Sequence, residues 1–403
     1  MKLTINKWVK SSALFIGAVS LLASCNKELP DAVPNPVPSH EGSTIMELLN
    51  DASFSLLKTA VTKAAPASNS GLVPLSTLLA DKTGEFTFFA PTNTAFAASG
   101  ITSTQINGMS PGMLDTLLRY QIVGGQKFLY TSTSTATPFP NFQFPSQFVL
   151  APPSASLPPG LRMPIFPSKV NGMWVNNIPV VQPDQIAANG VIQKPAVVVA
   201  PPSQYLWNRI DTAADLTYLR AAIKKADVGA AAGSALEDIL KNAAANLTVF
   251  APTDAAFKQV LTAQITVALM AQGMDQATAL ATATALASTP AVFTNPLLAT
   301  VLTSENVKGI VVYHMLGNRA FTVNLPTTAT NKPTLLNTAI AAHPGITLQA
   351  TFGATGVTAA TVKGAANATA ATVLINPTPT GGTSDQNYIN GVLHKINQVL
   401  LPQ

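Results

Sequence analysis

Two short apolar runs that stop at a proline stand out in the pattern of hydrophobic and polar positions. Residues 86–89 read Phe-Thr-Phe-Phe and stop at Pro91, and residues 247–250 read Leu-Thr-Val-Phe and stop at Pro252. Short runs rich in aromatic and β-branched residues are typical of buried strands. Because proline cannot continue a central strand, each run predicts a strand that ends at its proline.

The residues after each predicted strand favour the start of a helix. Thr92 and Thr253 directly follow the prolines, and threonine is a preferred N-cap residue. Phe96 and Phe257, four residues further on, would then be carried into the core by the new turn. We therefore expect structural roles for the proline, threonine and phenylalanine of both blocks.

The two blocks are copies of one unit. Residues 86–96 read FTFFAPTNTAF and residues 247–257 read LTVFAPTDAAF, with seven identities in eleven positions at an offset of 161. Later matches keep the same order along the chain: Tyr120 with Tyr313, and Asn189-Gly190 with Asn390-Gly391.

The offset between matching residues grows from 161 to 193 and then to 201. Matches in a constant order with growing spacing indicate a tandem duplication whose copies carry different insertions, since short-period repeats would keep one spacing. The predicted domains are residues 43–203 and 204–403.

In both copies the ordered blocks resemble the fasciclin-like domain. The resemblance rests on the Phe-Ala-Pro-Thr block, the Tyr-His pair after a helix and the Asn-Gly-Val block before a final strand. It implies an α+β fold of two fasciclin-like domains, each a β-sandwich or wedge of short strands with several helices packed on one side. In animal relatives the Tyr-His segment is associated with integrin adhesion, which would implicate Tyr313 and His314 and, in the first copy, Tyr120.

The Asn-Gly pairs predict turns. Asn189-Gly190 and Asn390-Gly391 stand before apolar strands, a pattern typical of β-hairpins in which glycine accepts a positive φ. We expect these four residues to be structural.

Two of the four histidines occupy repeated positions. His314 and His394 belong to the matched blocks, and the first copy has Gln121 and Gln193 instead. The joint replacement suggests that the two side chains share a polar environment. Since glutamine replaces histidine as a hydrogen-bonding group but not as a base or a zinc ligand, we interpret His314 and His394 as buried hydrogen-bonding groups.

The insertions differ between the copies. Residues 131–170 are rich in proline and predict a loop or edge excursion, whose Phe139, Phe142 and Phe144 either pack over a sheet edge or form a binding surface. Residues 258–302 are rich in Ala, Thr and Gln and predict an added helix or helical hairpin. This second insertion is either surface decoration or an appendage that contacts a partner.

The N-terminus has the pattern of an export signal. Residues 1–24 combine three lysines with a short apolar run that ends in Leu-Ala-Ser before Cys25, which is typical of a secretory signal peptide. The sequence at Cys25 resembles a bacterial lipobox, in which the cysteine is acylated. Asn26 favours the outer membrane in that sorting pattern, and the proline-rich residues 25–42 predict an extended tether.

The excess of basic over acidic side chains does not indicate a nucleic-acid partner. The formal charge is +5, but loss of the signal peptide leaves 20 basic and 18 acidic side chains. We therefore expect a membrane partner through acylated Cys25, a protein or polysaccharide ligand, and no nucleic acid, cofactor or metal.

The chemistry-bearing motifs are sparse. Residues 108–112 match the G-x-S-x-G nucleophile elbow, but no apolar strand precedes Ser110 as that motif requires, and Ser110 before Pro111 fits a helix N-cap. The sequence thus favours a non-catalytic envelope lipoprotein that acts in adhesion or ligand binding. The alternative is an accessory lipoprotein of an outer-membrane complex such as a glycan-uptake system, and a hydrolase has the least support.

Overall fold

The computed structural model describes residues 41–68, 70–132, 142–151, 154, 160–354, 356–378 and 381–403. All of them belong to one unit, His40–Gln403, by the pattern of their contacts. The signal peptide, Cys25 and most of the tether lie outside the described residues, as does Phe139.

The first domain begins with helices that flank its first strand. Its described helices are α1 (Ile45–Leu48), α2 (Ser55–Lys63), α3 (Leu75–Ala80), α4 (Asn93–Ala98), α5 (Ser103–Gly108) and α6 (Pro111–Tyr120). Its described strands are β1 (Phe86–Phe89), β2 (Ile122–Gly124), β3 (Phe144–Ala151), β4 (Leu161–Ile165), β5 (Pro167–Ser168), β6 (Trp174–Val175), β7 (Ile178–Ala187) and β8 (Gly190–Pro195).

The second domain repeats this order and adds helices. Its described helices are α7 (Leu206–Thr212), α8 (Thr217–Ala226), α9 (Leu236–Lys241), α10 (Asp254–Ala271), α11 (Gln276–Leu286) and α12 (Ser304–Tyr313). Its described strands are β9 (Leu247–Pro252), β10 (Met315–Leu316), β11 (Thr330–Lys332), β12 (Ile346–Gly353), β13 (Gly356–Lys363), β14 (Ala371–Thr372), β15 (Gln386–Tyr388) and β16 (Gly391–Ile396).

The same strand arrangement lies at the centre of both domains. In the first, β1 pairs in parallel with β8 and antiparallel with β2, within a sheet of order β4-β3-β2-β1-β8-β7-β6-β5. In the second, β9 pairs in parallel with β16 and antiparallel with β10, in the order β10-β9-β16-β15, and a further sheet has the order β11-β12-β13-β14. The last strand of each domain therefore pairs with its first.

The central strands are buried on both faces. Phe86 and Phe88 pack into the core formed with the helices, and Phe89 packs into the core on the opposite face. In the second domain, Val249 faces the helices and Phe250 faces the β11–β14 side. Burial on both faces explains why these strands read as continuous apolar runs rather than as alternating ones.

The insertions extend different parts of the fold. The described parts of 131–170 contribute β3 and β4 to one edge of the first sheet and β5 to its other edge, where proline is tolerated. Residues 258–302 contain most of α10, all of α11 and two short 3₁₀ turns, Pro290–Thr294 and Pro296–Leu298.

Candidate functional site

The asparagine of each Asn-Gly pair holds two helices to the last hairpin. Asn189 Oδ1 accepts the Ile45 N–H at 2.8 Å at the start of α1, and its Nδ2 donates to the Leu79 carbonyl at 2.8 Å near the end of α3. Asn390 accepts the Leu206 N–H at 3.0 Å and donates to the end of α9. Both asparagines are fully buried, so they act as structural ties.

The glycine of each pair is required by close backbone packing. A Cβ at Gly190 would lie 2.1 Å from the Phe86 carbonyl oxygen, and a Cβ at Gly391 would lie 2.5 Å from the Leu247 carbonyl oxygen. Both pairs do close hairpins, β7–β8 and β15–β16. The expected reason, a positive φ, is wrong for Gly391, whose backbone does not adopt one; the neighbouring strand excludes its side chain.

The threonines after the central strands cap the next helices. The Thr92 hydroxyl accepts the Ala95 N–H at the start of α4, and the Thr253 hydroxyl accepts the Ala256 N–H at the start of α10. Phe96, one residue beyond Ala95, is buried in the core, as is Phe257 in the second domain. The blocks therefore serve folding in both copies.

His314 bridges the end of α12 to the C-terminal segment. Its Nε2 accepts the Leu400 N–H at 2.8 Å, so Nδ1 carries the proton and donates to the Ile310 carbonyl at 2.8 Å. Gln121 makes the equivalent pair in the first domain, donating to the carbonyl four residues earlier and accepting the Val199 N–H. Burial lowers the pKa of His314 to about 4, against the opposing effect of the Ile310 hydrogen bond.

His394 makes a second bridge, in the last strand. Its Nδ1 accepts the Asp385 N–H at 3.1 Å, so Nε2 carries the proton and donates to the Ala320 carbonyl at 2.9 Å. Gln193 likewise accepts the Asp184 N–H at 2.8 Å and donates to a carbonyl of the loop after β2. Asp184 and Asp385 both have a positive φ, a conformation that aspartate adopts more readily than most residues.

The paired His/Gln positions thus form two separate bridges in each domain. His314 and His394 have no hydrogen-bond partner in common among the described residues, so each side chain makes its own bridge. Glutamine replaces histidine at each position because both side chains can donate one hydrogen bond and accept another at the same time. Since both ring nitrogens are used in each histidine, neither ring has a free nitrogen for proton transfer.

The tyrosines of the Tyr-His position are inside the protein. Tyr120, Tyr313 and His314 are at most 1 % exposed. The Tyr120 hydroxyl donates to the Pro164 carbonyl at 3.3 Å, and the Tyr313 hydroxyl donates to the Gly345 carbonyl at 2.6 Å. The direct ligand contact that the resemblance implied for these three residues does not fit the structure, because no ligand can reach them.

The aromatic residues of the first insertion pack together. Phe142 and Phe144 are half-buried, and both rings make edge contacts with Phe128 at centroid distances of 5.8 and 5.6 Å. They lie over the sheet edge rather than standing free in solvent, which favours the packing interpretation of these phenylalanines.

Ser110 has the geometry of a helix cap. Its hydroxyl accepts the Met113 N–H, and Pro111 occupies the first position of α6. The sequence contains no histidine between residues 43 and 203, so no imidazole of this domain can activate the hydroxyl.

Sequence reasoning missed the buried cation between the domains. Arg319, which follows β10, is 1 % exposed, and its guanidinium carbon lies 4.9 Å from the ring centre of Phe166 in the first domain. Its guanidinium donates to four neutral oxygens: Asn246 Oδ1, Asn387 Oδ1 and the carbonyls of Tyr388 and Ile389. Burial lowers its pKa to about 10, and Tyr120 opposes that shift.

Apolar packing surrounds this cation. Phe166 and Trp174 of the first domain form one buried cluster with Phe321, Val323 and Val392 of the second. Arg319 has only Gln126 at its matching position in the first copy, so the repeat pattern gives no signal for it. The cluster and the guanidinium together fix the two domains against each other.

Two kinds of feature among the described residues would bear on function, metal-ligand groups and membrane-spanning helices. Within these ranges no group of three or more His, Cys, Asp or Glu side chains is placed to hold a metal ion. No helix in the described part of the chain has the length and hydropathy to cross a membrane.

The second insertion carries much of the exposed apolar surface. Five of the eleven large hydrophobic side chains that are well exposed in the described residues lie within 258–302, namely Val267, Met270, Leu280, Leu297 and Val301. Only two charged residues, Lys258 and Asp275, lie in this segment. Exposed apolar side chains concentrated in one segment make this insertion a candidate interaction surface.

The helix-flanked sheets and the repeated buried ties define a two-domain α+β protein made by duplication of one unit. The family model described as "Fasciclin domain" matches residues 59–196 and 215–402. The chain therefore belongs to the fasciclin family, and the predicted fold class is confirmed. Fasciclin domains are typically non-catalytic modules for adhesion or ligand binding.

The chain is also similar to a solved structure of a FAS1 domain pair from the insect cell adhesion molecule fasciclin I. The two are 14 % identical, the match covers 79 % of this chain and 88 % of the other, and the TM-score is 0.32. No curated protein matches the chain.

Proposed function

We propose that this chain is a non-catalytic bacterial lipoprotein of the cell envelope, held at the outer membrane by acylated Cys25, that binds a protein, matrix or polysaccharide ligand. The lipobox-like sequence before Cys25 supports the anchor, since two acyl chains on one residue supply the two signals that stable anchoring needs. Residues 25–42 would hold the domains up to about 50 Å from the lipid, at about 3.1 Å per residue of proline-rich chain.

The observation that carries the binding role is the exposed apolar surface of the second insertion. Val267 is 66 % exposed and Leu280 is 49 % exposed, on the neighbouring helices α10 and α11. The repeated signature residues are buried and used in structural ties, so they leave ligand contact to the surfaces where the copies differ.

An adhesion assay on intact cells tests this role. Cells that display the wild type or Val267→Asp/Leu280→Asp are allowed to bind a glycan array and a panel of matrix-protein surfaces, with counts normalised to displayed protein. We expect the wild type to bind at least one surface and the double variant to lose binding at least tenfold, because two carboxylates break the apolar patch.

The matched control is Val181→Asp/Ile186→Asp, which changes two residues of β7 that are 59 and 62 % exposed. This control should bind like the wild type. Equal binding by the insertion variant, or no binding of the wild type to any surface, would refute the proposal.

The anchor has a separate test. Metabolic labelling with an alkyne-bearing palmitate should mark the wild type and leave Cys25→Ser unmarked, because the thiol is the acylated group. Equal labelling of the two chains would refute the lipoprotein assignment. Protease shaving of intact cells then shows whether the domains face the medium.

The alternative function, an accessory lipoprotein of an outer-membrane complex, predicts a different set of partners. Cross-linking in intact cells followed by purification would recover a porin-like channel with the chain if it serves a glycan-uptake complex. A binary complex with the ligand alone supports the adhesion role.

A further inference from the structure

The second domain contains an apolar cleft beside α12. The cleft has a volume of about 1030 Å³, at the upper end of the range of roughly 300–1,000 Å³ typical of small-molecule sites. Aliphatic side chains from several elements line it, among them Leu236, Val260, Ile310, Val312, Leu335 and Leu401.

The second insertion builds one wall of the cleft. Leu261, Phe293 and Leu302 all line it, and all three lie within 258–302. The first domain has no counterpart to this wall, because the cap residue Ser110 comes only 14 positions after Phe96. The cleft is therefore a feature of the second copy, where the duplicated unit has changed.

In the first domain the matching space is filled by an arginine. Arg119 in α6 is 3 % exposed, and its Nε donates to Asp115 Oδ2 at 2.7 Å. Its Nη2 donates to the carbonyl of Val73, just before α3. The side chain thus closes the gap between α6 and the segment that leads into α3.

The second domain lacks this arginine and its aspartate partner. The offset of 193 that matches Tyr120 with Tyr313 places Lys308 at the position of Asp115 and Val312 at that of Arg119. Ser234 takes the place of Val73 at the offset of 161, and all three replacements line the cleft. The buried ion pair of the first domain therefore has no counterpart here, because Val312 cannot pair with Lys308.

A glycine within α12 faces open space at the cleft. Gly309 lines the cleft, and a Cβ built on it would meet nothing within 4 Å. The matching residue of the first domain is Thr116. Glycine inside a helix is destabilising relative to alanine, and no backbone neighbour requires it here, so the position leaves room for something else.

The shape and charge of the cleft define the ligand class. Its lining follows α12 from Glu305 to Val312, a length of about 11 Å at 1.5 Å per residue, which suits an extended molecule lying along the helix. Glu305 and Lys308 at the helix surface have opposite charges and favour neither sign of head group. We propose that this cleft binds a single aliphatic chain of a lipid-like molecule, with its polar head at the rim.

A fluorescent fatty acid tests the proposal. The mature chain carrying Cys25→Ser, which has no acyl group of its own, is titrated with cis-parinaric acid. We expect saturable binding that both dodecanoic acid and 1-dodecanol displace, since the aliphatic chain and not the head charge is recognised. Displacement by neither, or by a small aromatic dye alone, would overturn the assignment.

Gly309→Leu is the variant that fills the cleft. It should weaken cis-parinaric acid binding at least tenfold, because the new side chain occupies the space of the ligand. Gly112→Leu is the matched control, because Gly112 lies in the equal-length helix α6 and also has open space around it. The control should bind like the wild type, and unchanged binding by folded Gly309→Leu would overturn the proposal.

A second variant introduces the buried ion pair of the first domain into the second. Lys308→Asp/Val312→Arg recreates the Asp115 and Arg119 pair and should also abolish binding. This test is independent of the adhesion proposal, because Val267 and Leu280 do not line the cleft. The variant Val267→Asp/Leu280→Asp should therefore retain cis-parinaric acid binding. If that variant loses it as well, the probe binds the exposed patch and the cleft proposal fails.

Discussion

Replacing His314 by the glutamine of the first copy should remove a defined part of the acid sensitivity of the second domain. Burial lowers the pKa of His314 to about 4 from a usual value of 6.5. The folded state therefore resists protonation, whereas the unfolded chain takes up a proton as the pH falls through 6.5. The stability that neutral His314 contributes is complete above pH 6.5 and is lost between pH 6.5 and pH 4.

Linkage gives the size of this loss. With those two pKa values the histidine should lower the free energy of unfolding by about 2 kcal/mol at pH 5 and about 3 kcal/mol at pH 4, relative to pH 7.5. Glutamine cannot titrate, and Gln121 already makes the same two hydrogen bonds in the first domain. His314→Gln should thus match the wild type within about 1 kcal/mol at pH 7.5.

Urea unfolding of the full chain at pH 7.5, 5 and 4 measures this difference, with the transition of the second domain followed separately if the two domains unfold in steps. All other titratable groups are common to both proteins, so their contributions cancel in the comparison. The converse variant Gln121→His should add a similar acid sensitivity to the first domain. The reasoning would be refuted if wild type and His314→Gln differed in free energy of unfolding by the same amount at all three pH values.

Three further substitutions test the structural ties by urea unfolding. Arg319→Leu should destabilise the protein by roughly 2–5 kcal/mol, since it leaves buried oxygens unpaired. The control Arg220→Leu, at an exposed ion pair, should cost at most about 1 kcal/mol. Equal effects of the two substitutions would contradict the structural role assigned to Arg319. Gly391→Ala should destabilise strongly because its Cβ would lie 2.5 Å from a carbonyl oxygen, and Gly108→Ala, in open space within a helix, should be neutral or stabilising. Asn390→Ala should cost roughly 2–4 kcal/mol through its lost buried hydrogen bonds, and a loss under 1 kcal/mol would refute its role as a tie.

The repeat comparison predicted the duplicated fold because it used local signals. A strand that ends at proline, a threonine cap and an Asn-Gly turn are each readable within a few residues, and the structure places Thr92 and Thr253 as caps. The partners of Asn189 were not readable, because Ile45 lies 144 residues away along the chain and only the folded topology brings the two together.

The contact between the domains and the cleft could not be predicted from the sequence, for different reasons. Arg319 has no counterpart in the first copy, and an isolated arginine in a sequence reads as a surface residue. The sequence does contain a trace of the cleft. Aligning the two copies at the offset of 193 shows Lys308 and Val312 where the first copy has Asp115 and Arg119. Its meaning depends on knowing that Arg119 is buried, which requires the structure.

The pairing of the first strand of each domain with its last has a consequence for folding during synthesis. β9 gains its parallel neighbour only when β16 has been made, some 140 residues later in the chain, and α7 is tied to Asn390 in the same hairpin. Contacts so distant in sequence slow folding because a long loop must close first. The parallel pair at the centre of the second domain therefore cannot form before the final hairpin has been made, although the antiparallel β11–β14 sheet needs no residue of that hairpin.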